Sequence, residues 1–390
     1  MLPSVAQTRV SLLTASPGSA IYELDGHTGL RIANDSLGYD QVINWGLFDF
    51  EAPNFVYRFV KGETDYMCGT VPADYFINSY LRDGRTVTEQ ILDLTPAQTE
   101  RLTAMIRKNL QPGNRVYRYN YVKDNCATRP LDMIEAATGR RFDFGDTLSG
   151  ITYRDEMRFN HRYYPWYQFG IDLALGSGLD YELTPRETAF SPLRLQKLMS
   201  SQLIVSETHV HGTESLHPSP TPWWLSPDTV CWIIFTVVLA LTMADLRRKK
   251  VNRVLDTILY SAFGLIGCLV AFLIFVSEHE ATSPNWLLAW VNPLCFLGAV
   301  LPWIKSAKKT LICYHFANFA VLILLLLCRE YTGQVFNQAF IPLILTDLTR
   351  SPRRWPRATR PCISSLWLRH GQRRDRSPRF RSSLRRASDG

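Results

Sequence analysis

Cysteine and histidine are scarce in the part of the chain that reads as globular. Before position 206 there are two cysteines, Cys68 and Cys126, and two histidines, His27 and His161. His209, His211 and His217 follow in SETHVHGTESLHPSPTP (206–222), a stretch rich in Ser, Thr and Pro. No Cys and no second cluster accompanies them, so a metal site gives way to a solvated linker, and no metal or organic cofactor is expected. The start, MLPSVAQTRV, lacks the positive flank and the apolar run of a signal peptide. Ser4-Val5-Ala6 before Gln7 nevertheless has the small residues of a cleavage site, and we expect a secretion signal in the natural precursor. Lysine is missing from 350–390, where 13 Arg stand against 2 Asp. With no periodicity, that segment is expected to be a disordered or aberrant tail rather than a nucleic-acid or anionic-lipid arm. The whole chain carries +8 and this tail +11, so the remainder sums to about −3, which is no nucleic-acid-binding balance.

What is abundant is apolar sequence, concentrated in 223–349. Segments at 225–246, 254–276, 285–304 and 310–328 approach the roughly 20 residues that cross a bilayer core. A fifth, 334–348, is shorter and carries Asn337. Arg247, Arg248, Lys249, Lys250 and Arg253 follow the first span, and Lys305, Lys308 and Lys309 follow the third. Positive charge on alternate loops places residues 1–222 outside the cytoplasm. Trp223 and Trp224 stand where interfacial aromatics anchor a span, and the cysteines within the spans read as apolar filler. The expected division is therefore an outer domain (1–205), a linker (206–222), a membrane domain of about five helices (223–349) and the tail (350–390).

The outer domain reads as α+β. Strand-like alternation appears at 9–15, 19–24, 27–32, 41–48, 55–60 and 116–122, punctuated by Pro17-Gly18, Asp25-Gly26 and Asn34-Asp35. Thr95, Pro96 and Gln98 form a capping box ahead of a helix that stops at Gln111-Pro112-Gly113. A second helix runs through CATRPLDMIEAATG to Gly139, with either Asn125 or Thr128 as its cap. Cys126 thus lies near the positive end of a helix, where free N–H groups favour a thiolate and can receive an oxyanion. A thiolate nucleophile wants a base, and His27 and His161 are the choices. His27 opens a strand after a turn, whereas His161, in RFNHRYYPWYQF, reads as packing or surface. Against catalysis stands a Cys68–Cys126 disulfide in an oxidising compartment, or simple packing of Cys126.

Several motifs resemble one family: DGHTGLRI (25–32), NWGLFDF (44–50), FVKGETDY (59–66) and YNYVKDNCATRP (119–130). They are similar to the periplasmic domain of the Lnb-type lipoprotein N-acyltransferases of Bacteroidota, and the membrane half resembles that family's five-helix domain. The resemblance implies a circularly permuted papain-like (NlpC/P60-like) cysteine fold in which the His strand precedes the Cys helix. It also implies Cys126 as nucleophile and His27 as base. Asn44, Asp124 and Asn125 compete for the third, orienting role, while Arg129, Tyr66 and Asp49 lie in matching motifs with roles at least as structural. The implied reaction is acylation of the α-amine of the lipid-modified N-terminal cysteine of lipoproteins, from a phospholipid or diacylglyceryl donor, at the inner membrane. Rival readings are a cell-wall cysteine peptidase or amidase, a lipid thioesterase, and a membrane-anchored binding module without catalysis.

Overall fold

The computed structural model describes residues 8–145, 150–216 and 218–351. The cleavage-like Ser4-Val5-Ala6, His217 and the chain beyond 351 lie outside the described residues. Thr8–Ala15 (β1), His27–Asn34 (β2), Tyr39–Leu47 (β3), Asp65–Pro72 (β4), Val87–Leu92 (β5), Val116–Arg118 (β6) and Val205–His211 (β7) form one sheet. Its order is β6-β4-β3-β2-β1-β5-β7, and every neighbouring pair is antiparallel. The helices of the outer domain are Phe55–Lys61 (α1), Ala73–Arg82 (α2), Pro96–Asn109 (α3), Thr128–Thr138 (α4), Tyr153–Asn160 (α5), Pro165–Ala174 (α6) and Pro192–Ser200 (α7).

Both faces of the sheet are covered, which explains why β1 is buried continuously from Val10 to Ala15. Val10 and Leu12 join the core built with Leu102 and Ile106 of α3, Leu131 and Ile134 of α4, and Leu195 and Met199 of α7. Leu13 and Ala15, one residue out of phase, pack instead with Ala73, Phe76 and Ile77 of α2. The period of two therefore sorts one strand between two cores. Trp45 of β3 is fully buried and donates its indole N–H to Asn109 Oδ1 at 2.8 Å, so its polar handle is satisfied. The capping box at Thr95 forms as expected, with Gln98 N–H on Thr95 Oγ1 and Thr95 N–H on Gln98 Oε1.

Four expectations for the outer domain are corrected. Residues 19–24 are not a strand: Ile21–Glu23 is a single 3-10 turn. Residues 55–60 form α1, bounded by Asn54 and Gly62 at positive φ; an apolar run of this length fits either period, and the Gly62 stop decides for helix. The strand after Gly113 keeps only 116–118, on the sheet edge beside β4. The linker begins late, because 205–211 is β7, paired with β5; polar residues there reflect an edge strand facing solvent. In it His211 meets Glu89 at 2.9 Å and His209 meets Glu207 at 3.1 Å.

The membrane half comprises Pro227–Arg248 (α8), Arg253–Phe275 (α9), Cys295–Val300 (α10), Lys308–Cys328 (α11) and Phe340–Arg350 (α12). Among the described residues three helices are long and apolar enough to cross a membrane: α8, α9 and the stretch 305–332 that contains α11. The segment 285–304 is instead broken into short turns and α10, as Pro293 and Pro302 require. It nests against α9 at glycines, where a Cβ on Gly267 would stand 2.4 Å from the backbone of Asn292. The last helix runs one residue past the expected boundary. Arg350 is no tail residue: it is buried and bonded to Asp256, Thr242, Asp245 and the Asn252 carbonyl. A guanidinium inside a helix bundle is held only by such partners.

The two halves are bolted together by polar groups. The buried carboxylate of Asp172 (α6) accepts from Arg154 at 2.9 Å, Arg158 at 3.1 Å, Gln168 at 2.9 Å and, from the membrane domain, Asn337 at 2.8 Å. On the other side of the domain, the loop after α9 clasps α1. Glu278 N–H donates to the Lys61 carbonyl at 2.8 Å, and His279 Nε2 to the Phe59 carbonyl at 2.8 Å.

Candidate active site

Cys126 stands two residues ahead of α4 rather than within it, and Asn125 shapes the turn. Asn125 Oδ1 accepts the N–H groups of Ala127 at 2.8 Å and Thr128 at 2.9 Å, while Thr128 Oγ1 accepts the Asn125 N–H at 2.8 Å. The N-cap position itself is Ala127, which supplies no side-chain cap, and the two expected caps instead bond each other across it. The Asn125 amide N–H₂ also donates to the carbonyls of Tyr121 and Phe190, which ties the turn to the rest of the domain. Asn125 is buried and orders the loop that carries Cys126 through these five bonds.

His27 opens β2, and the register sets its partner. Asn44 on β3 lies opposite Gly29, so His27 and Asn44 are diagonal neighbours on one face of the sheet. The His27 Nε2 to Asn44 Oδ1 distance is 2.5 Å. An amide oxygen only accepts, so Nε2 carries the proton and Nδ1 is left as acceptor. Cys126 lines one cavity with this ring and with Tyr119, and the ring, the Thr28 backbone and the Tyr119 hydroxyl all favour the charged form of its thiol. Burial opposes charge at both groups. At Cys126 the facing imidazolium and these donors outweigh it, and the thiol pKa falls below its ordinary value. At His27 the facing thiolate and Asn44 outweigh burial, and the pKa rises. The arrangement favours a thiolate–imidazolium pair.

Cys68 has none of this. It is buried in mid-β4 and free, as is Cys126, so no disulfide joins them. Burial pushes its thiol up to about 12.

Asp124 and Arg129 are engaged with each other. They pair bidentately at 2.5 and 2.7 Å, and the guanidinium lies 3.4 Å from the centre of the Tyr117 ring. Asp49 accepts the Glu51 N–H in a turn. His161 is buried, with Nδ1 at 2.7 Å from Gln168 and Nε2 at 3.6 Å from Asp25, and is no neighbour of the thiol. Tyr66 does face the site, stacked on Tyr119 at 4.6 Å between ring centres.

Cys126, His27 and aromatic rings share a cavity of about 390 Å³. Tyr66, Tyr119, Phe48 and Phe59 line it, and His279 reaches it from the membrane domain. Gly46 makes room: at the β-bulge in β3 it has φ +90, and a Cβ there would sit 3.2 Å from the Tyr119 ring. Asp25 braces the wall by accepting from Tyr121 and Asn160. Burial would raise its pKa, but His161 and these donors hold it below the usual carboxylate range. Sequence reading missed Tyr119, Thr28 and Asp25. Tyr119 stands in the YNYVKDNC motif and Thr28 beside His27, but nothing in either spacing shows that they act on the thiol. Among the described residues no group of three or more His, Cys, Asp or Glu stands ready for a metal ion.

Two family models match the chain. The Lnb N-terminal periplasmic domain covers residues 4–155, and the Lnb transmembrane domain covers 219–355. Compared with curated proteins and with solved structures, the chain has no significant match. The two Lnb domains follow one another in the order that the α+β sheet domain and the helical membrane domain show here. The chain belongs to the Lnb family, as a multi-pass membrane protein whose first domain faces the periplasm and whose role is of the lipoprotein N-acyltransferase type.

Proposed function

We propose that this protein transfers an acyl chain to the α-amine of the lipid-modified N-terminal cysteine of lipoproteins through a thioester on Cys126. The observation that carries the reading is an aromatic cavity lined by the Cys126 thiol, an Asn44-bonded imidazole and a residue of the membrane domain. In the first half-reaction the Cys126 sulfur attacks the ester carbonyl of a phospholipid or diacylglyceryl donor. The C–S bond forms, the ester C–O bond breaks, and His27 gives its proton to the departing alkoxide. In the second, the lipoprotein amine attacks the thioester. The C–N bond forms, the C–S bond breaks, and His27 takes the proton lost by the amine. Asn44 holds the ring in the tautomer both halves need, as the orienting member of a triad does. Asn125 fixes the turn that presents the sulfur, Tyr66 supports Tyr119, and the Asp124–Arg129 pair braces the start of α4.

Both substrates are lipids confined to a bilayer, so an anchored catalyst meets them without drawing whole chains into water. The test is the mass of lipoprotein N-terminal peptides from cells with and without the protein. N-acylation that depends on its presence and on Cys126 is expected. N-acylation unchanged in its absence would refute the proposal, and a free fatty acid product instead would indicate a thioesterase.

A further inference from the structure

Around the mouth of the cavity, apolar side chains face outward where a soluble enzyme would carry polar ones. On α1, Val56 is 72% exposed, Tyr57 55% and Phe59 46%; Phe50 is 58% exposed and Tyr22 65%. No residue of α1 is buried, so its apolar side chains do not serve the core. Contiguous exposed apolar surface of this kind marks a contact with another phase or molecule. The rings form an unbroken series: Phe59 to Phe55 at 5.9 Å, Phe55 to Phe48 at 5.7 Å, Phe48 to Tyr66 at 5.2 Å and Tyr66 to Tyr119 at 4.6 Å. Tyr119 lines the cavity that holds Cys126.

What covers this surface follows from its attachment. Besides the clasp at Glu278 and His279, Ser277 Oγ donates to the Val60 carbonyl at 2.9 Å. Tyr57 lies 6.1 Å from Phe272 in the final turn of the spanning helix α9, ring centre to ring centre. Beyond it Phe275 and Val276 are themselves 73% and 47% exposed. The helix is thus pinned level with the outer end of a span, where aromatic residues sit in the lipid interface.

We infer that α1 lies in the outer leaflet and that the aromatic series from Phe59 to Tyr119 is the route by which one fatty acyl chain of a bilayer lipid slides to Cys126. This rests on the proposed acyl transfer for its destination, but the membrane contact stands apart from the chemistry. The donor keeps its headgroup in the interface and moves a single chain sideways from lipid into an apolar cavity, so little apolar surface meets water on the way.

The test has two arms, both on the full-length protein in phosphatidylethanolamine–phosphatidylglycerol vesicles. In the first, a benzophenone amino acid replaces Val56 or, as a control, Tyr39, which is exposed at the end of β3 remote from Asn44. Lipid cross-linking at least tenfold higher at 56 than at 39 is expected; equal cross-linking overturns the inference, whatever the enzyme's activity. The second arm measures acylation of Cys126 by intact-protein mass spectrometry, with the vesicle lipid or a water-soluble butyryl thioester as donor. The paired substitution Val56→Asp and Tyr57→Asp should slow acylation by the lipid tenfold or more and leave that by the thioester within twofold of the parent. Equal loss with both donors, or no loss with lipid, would overturn the route. Failure of the parent protein to be acylated by either donor would refute the acyl-transfer reading instead, with the first arm still deciding the membrane contact.

Discussion

The surroundings of Cys126 and Cys68 make a controlled comparison within one domain. Both thiols are free and nearly sealed from solvent, at 6% and 1% exposure. Cys68 lies in mid-strand among apolar neighbours, and its pKa climbs to about 12, which makes it inert. Cys126 sits ahead of a helix and in one cavity with the His27 ring and Tyr119, and its pKa falls. Burial alone therefore silences a thiol, and burial beside donors and a facing cation activates it, because low dielectric magnifies whichever neighbours are present.

The comparison breaks most decisively at the nucleophile. Cys126→Ser should lower N-acylation of a reporter lipoprotein by at least about 10³-fold, with normal insertion and accumulation. His27→Ala should do the same, and the double variant should be no worse, since the two act as a unit. Mass spectrometry of the reporter's N-terminal peptide at matched expression reads all three; near-normal product from Cys126→Ser would remove the covalent mechanism. Next, Asn44→Ala should cut activity by about 10²-fold, part of what a well-held base contributes. Unaltered turnover would return Asn44 to a strand residue and leave His27 held by other groups.

A third measurement sharpens the electrostatic half of the contrast. Against the effect of burial, each of the two groups favours the charged form of the other. Alkylation of Cys126 by iodoacetamide should then titrate below the ordinary thiol value of about 8.5, and His27→Ala should move the midpoint upward. A parent profile centred at or above the ordinary value would contradict it. Cys68 should stay unlabelled in the folded protein across the same range. The smallest effect is expected at Cys68→Ser. It should leave activity per folded molecule intact while costing about 1–3 kcal/mol, the penalty for a hydroxyl in an apolar core without a partner. Denaturation followed by circular dichroism checks the stability, and loss of activity matching Cys126→Ser would show that Cys68 shares the chemistry.

Much of the outer domain was legible because its signals are local. The capping box at Thr95 and the Gly139 stop need only their own few residues, and both helices formed accordingly. Strands β1, β2 and β3 were legible from alternation and turn residues for the same reason. The failures at 19–24 and 55–60 are short apolar runs whose period is ambiguous, and in each the side chains face a cavity mouth or a lipid interface rather than the core. The missed strand β7 is polar because it lies at the sheet edge, so its pairing with β5 left no apolar trace. In the membrane half, composition reported apolarity but not continuity, and prolines at 293 and 302 divided the third segment.

The two-part plan, the outward orientation of the first domain, and Cys126 and His27 as the pair to weigh were all legible in the chain. Each of these rests on composition, loop charge or a short motif. That the two line one cavity could not be read this way, because 98 residues lie between them and it takes the pairing of β2 in the sheet and the packing of α4 upon it to bring them together. The tertiary structure likewise chose Asn44 over Asp124 and Asn125 as the partner of the ring. That choice hangs on strand register, and a slip of one residue would turn the Asn44 side chain to the other face.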